Sequence, residues 1–599
     1  MSTSSVPQPS PLPQQPQQSR DSQTATASVP PPPPPPHASE ATRLLCVGTY
    51  LDPSFRERVL EELHLNEQRL VAPSLGFDAA RVLAHALRAR RIEAGWAAGI
   101  VGLWIVGLLI TDRLLAGYLV PSLLLAMGGA THGSEENPPL SRRVTAFFFR
   151  WLGRLMLLVF LVATVTAAFH DDSSGDGSSG YGTSGESSGA TQLLLMLPLA
   201  LTRMIGGDGT VTPLQAWLAL LMFVAVALCA GAQRSRLVRS LGAELSPRRF
   251  PDAASDPAER AEGERFRRLR ARIRLEQRSP LIMYRETRPF CGAGSAHDTW
   301  VLAVEMRPKR DEKPRPMSNR TVLDTIRPLL EGLRLPPEYA GHAVRDRLRW
   351  LEIDECVFLP AEGLARREEA PYGEEAFETH RSRAVEEGAE KRRHFLRVRV
   401  GGWEEELVVT VYVRVHTQGR MLMLEIAPHV LMPIRSDFKE ADRTAHQFRG
   451  NSLLGKAAWA VGQVPAASVR SVVALAQVVA YGWRLLTGGY DSAPVDGPAV
   501  SVRELGAAPS GSLFQRMDVD RYLRSVQDRI AHGVRTALSE HGYQTDEFVQ
   551  KVVNISNGGV HIESVEGSTF AVGSHAHAAS TTNGGPAPQK GSDSDEHGG

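Results

Sequence analysis

Hydrophobic positions along this chain are gathered into a few dense runs, separated by long polar stretches with helical or strand-like periodicity. Gly95–Ile110 and Leu114–Ala130 are almost wholly apolar and are parted by Thr111, Asp112 and Arg113. Val144–Phe169 follows, with Arg150 and Arg154 near its start, and then Pro213–Ala232, twenty residues without a charge. A helix needs roughly 20 residues to cross the hydrocarbon of a bilayer, and about 17 suffice. The last two runs meet that length, and the first two read as a tight helical hairpin. A fifth stretch, Leu193–Ile205, is short, contains Pro198 and carries Arg203, which is costly at bilayer depth.

Charge placement orients these runs. Arginines collect before the first (Arg88, Arg90, Arg91), between the second and third (Arg142, Arg143) and after the last (Arg234, Arg236, Arg239). The Gly/Ser-rich loop after the third has Asp171, Asp172, Asp176 and Glu186 and no Lys or Arg. The excess of basic residues in cytoplasmic loops then predicts four crossings of the cell membrane, with both termini in the cytoplasm. Leu193–Ile205 is interfacial or re-entrant in that scheme; five crossings is the alternative. Charged residues sit at run ends, whereas transporters usually hold them mid-span, so anchoring is favoured over transport.

Outside these runs the pattern predicts smaller elements. Residues 1–42 are rich in Pro, Gln and Ser, including Pro30–Pro36, and cannot bury a core; they read as a disordered tail or a proline-rich ligand. Residues 43–93 form a helical segment, with Asp52-Pro53 as a start signal and the second helix running from Phe77 into the first span. Pro257–Arg278 is a basic amphipathic helix with Phe266, Leu269 and Ile273 on one face. Its Arg265, Arg267, Arg268, Arg270, Arg272 and Arg274 are the candidate contacts to anionic inner-leaflet lipids; an ordinary solvated helix is the alternative.

Residues 280–434 alternate strand-like and helical stretches and predict an α+β domain. Its strands are Leu281–Tyr284, Thr299–Met306, Phe395–Val400, Glu406–Val415 and Met421–Ile426, with a helix at Arg320–Leu333 and a charged helix or linker at Leu364–Arg393. Short connections favour an antiparallel sheet. Asn451–Gly488 predicts a pair of surface-associated helices. Asp518–Leu538 is a clear amphipathic helix, suited to a core or to a partner. Alternation in Lys551–Gly573 around Asn557-Gly558 predicts a short β ribbon, with disorder from 574 onward. Such a ribbon is marginal alone, so Val553, Ile555, Gly558, Val560, Ile562, Gly567, Phe570 and Val572 are candidates for self-association into a homo-oligomer.

Composition adds little chemistry. The net charge of +1 across 599 residues gives no global field toward nucleic acid, and no aromatic interleaving supports a nucleic-acid surface. The four cysteines, Cys46, Cys229, Cys291 and Cys356, form no C-x-x-C pair and read as reduced thiols. No metal, cofactor or catalytic constellation is expected. Gly450–Ala457 spells most of a P-loop but has Ala457 where magnesium needs Ser or Thr, and Gly185–Gly189 resembles a nucleophile elbow without a strand or helix to strain it.

Several short motifs resemble a group of uncharacterised multi-pass membrane proteins of high-GC actinobacteria. They are Arg43-Leu44-Leu45-Cys46, Val71-Ala72-Pro73-Ser74, Gly76-Phe77-Asp78, Pro289-Phe290 with Gly292 and Gly294, and the Asn-Gly tail. The resemblance covers most of residues 42–573 and implies no activity and no binding residues. The tail is also similar to Gly/Asn-rich β motifs that end some bacterial signalling and conflict proteins and mediate self-association. A membrane-anchored scaffold or signalling protein is the leading expectation. An enzyme within 280–434 and a small transporter are the alternatives.

Overall fold

The computed structural model describes residues 34–74, 76–111, 114–131, 139–169, 212–260, 263–334, 348, 351–387, 391–401, 406–488 and 494–556. The chain begins with α1 (Glu40–Leu51) and α2 (Pro53–Leu60), joined at Asp52. Asp52 closes α1 and caps α2, accepting from the Ser54 and Phe55 N–H groups, while Pro53 takes the first helical position, where a missing N–H costs nothing. The expected single helix before the break is thus two. Asp78 caps α3 (Ala79–Ile110) in the same way through the Ala80 and Arg81 N–H groups.

The first half of α3 belongs to the globular body and the second half to an apolar bundle. After a 3-10 turn at Leu114–Tyr118, α4 (Leu119–Ala130), α5 (Leu140–Ala168) and α6 (Pro213–Ala243) alternate in direction. At the far end, the Tyr118 hydroxyl bonds the Thr164 hydroxyl at 2.7 Å, and Trp217 Nε1 donates to the Ala168 carbonyl at 3.1 Å. At the near end, Arg150 Nε donates to the Gly128 carbonyl at 3.1 Å. Glycine permits this close α4–α5 contact: a Cβ on Gly153 would stand 2.8 Å from Leu125 Cγ. The bundle centre is filled by Ile100, Trp104, Leu115, Tyr118, Phe160 and Phe223. Leu109, Phe147, Leu158, Leu221 and Leu228 face outward, as lipid contact requires. Leu193–Ile205 lies outside the described residues; the helices on either side of it, α5 and α6, meet at the far end.

Downstream comes α7 (Glu264–Arg278), and then the α+β domain. Its strands are β1 (Leu281–Tyr284), β2 (Ser295–Ala296), β3 (Trp300–Glu305), β4 (Leu351–Pro360), β5 (Arg393–Gly401), β6 (Val408–Gln418) and β7 (Met421–Leu431). They form one curved sheet in the order β1-β4-β5-β6-β7, with β2 and β3 both on the outer edge of β7. All pairings are antiparallel except β1 with β4. The mixed α+β class therefore holds. The sequence does not announce β4, because Glu355 breaks the alternation of Leu351 to Asp354 and three of its first five residues are acidic.

One face of the sheet packs Val398, Val411, Val413, Leu424 and Ile426 against α8 (Asn319–Glu331) and α14 (Leu513–Glu540). The stripe Val519, Leu523, Val526, Ile530, Val534 and Leu538 is spent in that core, so it is not open to a partner helix. Within Leu364–Arg393, α9 spans Glu374–Glu386. Short α10 (Ser436–Lys439), α11 (Ala441–Gly450) and α13 (Val502–Leu505) flank a long α12 (Leu453–Thr487).

Two expectations are corrected here. Asn451–Gly488 holds one continuous 35-residue helix, not a pair, and that helix runs through Pro465. It is long and apolar enough to cross a membrane, as are α3, α5 and α6, while α4 is a shorter apolar helix. Yet Phe438 and Ala445 before it and Val502 after it all pack in the same globular layer. Second, Val553 and Ile555 lie in α15 (Asp546–Ser556), not in a strand. Phe548 anchors that helix in the domain core, and Lys551 Nζ donates to the Ala303 carbonyl at 3.0 Å, so helical spacing wins over local alternation. The remaining ribbon positions, Gly558, Val560, Ile562, Gly567, Phe570 and Val572, lie outside the described residues.

Candidate functional site at the junction of bundle and domain

The densest polar chemistry lies where the apolar bundle meets the α+β domain. A single apolar layer spans that boundary: Leu45, Phe55 and Val59 from α1 and α2, Leu83 from α3, Val238 and Leu241 from α6, Ile273 from α7, and Ile434, Phe438 and Val502 from the domain side. A Cβ on Gly48 would run into the Phe438 ring, so α1 approaches the domain as closely as atoms allow.

Buried ion pairs stitch the layer. Asp256 accepts from Arg81 Nε at 3.1 Å and Nη2 at 2.7 Å, and meets His85 Nε2 at 2.9 Å. Burial opposes its ionisation, but His85 and the Arg81 guanidinium outweigh that and hold the carboxyl well below the usual range. Glu276 accepts from Arg367 Nε and Nη2 at 2.7 and 2.6 Å and from the Val71 N–H at 2.9 Å. Glu504 accepts from the N–H groups of Gly292 and Gly294 at 2.8 and 3.0 Å. Those two glycines have φ of +100° and +97°, and a Cβ on Gly294 would collide with the Val430 carbonyl oxygen. Between them and Arg288, Phe290 plugs the second face of the sheet, among Phe358, Phe395, Tyr412 and His429. The short motifs singled out in the sequence thus converge: the Pro73 carbonyl lies against Gly292, and Asp78 accepts from Arg274 Nε at 2.8 Å.

The candidate lipid-facing arginines of α7 are mostly engaged within the protein. Arg270 pairs with Glu259; burial, reinforced by neighbouring Arg274, lowers its pKa to about 10. Arg274 pairs with Asp78 and Glu259, Arg265 with Glu67, Arg268 with Glu264 and Arg272 with Glu368. Arg267 is exposed. The apolar face that would have entered a bilayer, Leu269 and Ile273, is buried in the junction layer. α7 is a packing element.

A cavity of about 520 Å³ opens beside α7. His64, Leu87, Arg88, Arg90, Arg91, Phe266, Val478 and Tyr481 are among its walls. Arg90 stacks on the Tyr481 ring at 3.7 Å and donates to the Gln477 carbonyl at 2.8 Å. The Tyr481 hydroxyl lies 2.6 Å from His64 Nδ1. A second cavity of about 160 Å³ between α3, α6 and α12 is lined in part by Glu93, Gln233, Arg234, Trp459, Gln463 and Arg470.

The sheet's second face offers less room. Arg397 pairs with Asp354 and Arg399 with Glu352, and the crevice lined by Arg397, Arg399, Tyr412 and Arg503 measures about 30 Å³, space for about one water. On the other side, burial opposes ionisation of Glu355, but His394, Arg320 and Arg381 together bring its pKa down to about 2. Cys46, Cys291 and Cys356 are free and buried, and burial pushes each thiol up, that of Cys356 to about 12, so none is an activated nucleophile. Among the described residues no group of three His, Cys, Asp or Glu could hold a metal ion. The P-loop lookalike is a helix start: Ser452 Oγ accepts from the Gly455 N–H, and Lys456 Nζ donates to the Arg449 carbonyl.

No curated protein and no solved structure matches this chain. Residues 299–570, somewhat under half of the 599, match the family model described as an AbeC-like domain, a stretch that runs from β3 through α15 and takes in the helix α12.

Proposed function

We propose that this protein is a membrane-anchored scaffold that fixes an α+β interaction domain against the inner face of the cell membrane. The observation that carries this reading is the shared apolar layer, in which helix ends from the bundle and segments from the domain form one core. A flexible tether would let the domain search space; a joint closed by buried ion pairs holds it in one pose. In this reading α3, α4, α5 and α6 cross the bilayer, and the arginine-rich near end lies in the cytoplasm. Helix α12 begins and ends on that same side, so it lies slantwise in the inner leaflet instead of crossing. Its outward stripe of Leu454, Val461, Val472, Val479, Trp483 and Leu486 meets lipid, with Trp483 at headgroup level. Transport has little support, because apolar side chains fill the bundle centre.

Partner binding or self-association falls to the C-terminal region. Leu513, Phe514 and Met517 stand in the open at the start of α14, at 64, 77 and 58% exposure. The tail beyond α15 adds the remaining self-association candidates. Two experiments test the proposal. A single cysteine at Ser179 reacts with a membrane-impermeant thiol reagent in intact cells if that loop is outside; protection there rejects the orientation. Removing residues 557–599 shrinks the oligomer seen in detergent, and an unchanged size distribution removes self-association through the tail.

A further inference from the structure

We infer that the 520 Å³ cavity between α3, the 257–258 segment, Phe266 of α7 and the C-terminal half of α12 binds the phosphate headgroup of an anionic phospholipid. Three features of the cavity point the same way. Its charged lining residues are all arginines, Arg88, Arg90 and Arg91, joined by His64 and Tyr481, and no carboxylate is among the described residues that line it. Planar guanidinium groups suit phosphate oxygens, and a phosphate can join an existing Arg–carboxylate pair because each guanidinium has five N–H donors. Arg88 uses Nη1 and Nη2 on Glu244, and Arg90 uses them on Glu57 and the Gln477 carbonyl; among the described residues nothing accepts from the Nε of either.

Position is the second feature. The arginines end one turn before Gly95, where the uncharged part of α3 begins, so they stand at headgroup depth. Leu87, Ala94 and Val478 line the same cavity and offer apolar surface to the glycerol end of an acyl chain. The third is the setting of α12: its opposite flank exposes Val479 and Trp483, at 71 and 67%, which suits this stretch of helix to contact with lipid. A headgroup seated here bridges α3 and α12 and so braces the joint. Anionic lipid recognition, expected from the arginines of α7, thereby moves to those of α3.

The inference rests on the near end lying at a bilayer surface, as proposed above, but its test in detergent is independent of which side that surface faces. Full-length protein is titrated with dioctanoyl phosphatidylglycerol, dioctanoyl phosphatidylcholine or inorganic phosphate, and the apparent thermal midpoint is followed. Phosphatidylglycerol raises the midpoint by roughly 2–5 °C, and the other two by less than about 1 °C. The variant Arg91→Gln, at an exposed position, at least halves the shift, and Arg88→Gln combined with it abolishes the shift. The control Arg268→Gln, on α7, keeps it whole. Equal shifts with phosphatidylcholine overturn headgroup selectivity. An equal shift with inorganic phosphate overturns the lipid assignment, and a full shift in Arg91→Gln overturns the site.

Discussion

Helices α7 and α12 both read in the sequence as membrane-surface helices, yet only α12 keeps its apolar face uncovered. α7 carries six arginines between positions 265 and 274 around an apolar stripe, and such a helix beside a membrane is expected on its surface. Its apolar face lies instead inside the joint, with Ile273 buried, and five of those arginines are paired to carboxylates. α12 is apolar enough to span a membrane although it holds Lys456, Arg470 and Arg484, and it leaves an apolar stripe uncovered along its length. Charge density therefore does not place a helix. What places it is whether the rest of the chain supplies complementary groups. Arg268 finds Glu264 on α7 itself, and the other four paired arginines find Glu67, Asp78, Glu259 and Glu368, the first of them 198 residues from its arginine.

The sharpest test of that contrast is Glu276→Gln on α7. It weakens the carboxylate partner of buried Arg367 and costs about 3–5 kcal/mol, read as unfolding free energy or lowered apparent midpoint in detergent. A loss below about 1 kcal/mol would mean that α7 is not a structural joint. Gly294→Ala comes next. Forcing a Cβ toward the Val430 carbonyl at φ +97° costs about 1–3 kcal/mol and frees the β1–β2 connection, visible as faster proteolysis near residue 290.

Acid separates the buried carboxylates of the joint and of the domain from the α12 stripe. Asp256 and Glu355 have lowered folded-state pKa values, so their stabilisation is complete above the ordinary carboxylate range. It is lost as pH falls from about 4.5 toward 2, because the unfolded chain then binds protons that the folded one resists. Stability should decline over that window, and Glu355→Gln should flatten part of the decline. The α12 stripe has no titrating group, so vesicle binding by a peptide of residues 453–487 should change little over the same range. Serine at Val479, Trp483 and Leu486 together should leave the folding midpoint in detergent within a few degrees and lower that peptide's partitioning by at least tenfold. The smallest effect is expected for Arg268→Ala on exposed α7 surface, within about 0.5 kcal/mol.

Much of the local structure is legible in the sequence. The cap at Asp52 announces its helix because a side-chain oxygen two or three residues from an N–H is a purely local device; Asp78 is the same device, and it starts α3 two residues after the Phe77 that the pattern suggests. β5, β6 and β7 are visible as alternation rich in Val, Leu and Ile, and the stripe of α14 as a helical repeat. β4 escapes such reading because its Glu352 and Asp354 look like loop residues until Arg399 and Arg397 are found opposite them on β5. Of the candidate site, the cluster Arg88, Arg90 and Arg91 reads in the sequence only as an orientation signal. Its cavity needs His64 and Tyr481, which are 417 residues apart in the chain.

The sequence by itself determined where apolar helices form and which of their ends are basic. Hydrocarbon and helix caps impose requirements that a short window of residues either meets or fails. Only the tertiary structure decided that α7 turns inward, that the segments flanking α12 both return to the joint, and that bundle and domain share a core. Those outcomes depend on partners brought together across hundreds of residues, and a local pattern carries no record of the partner.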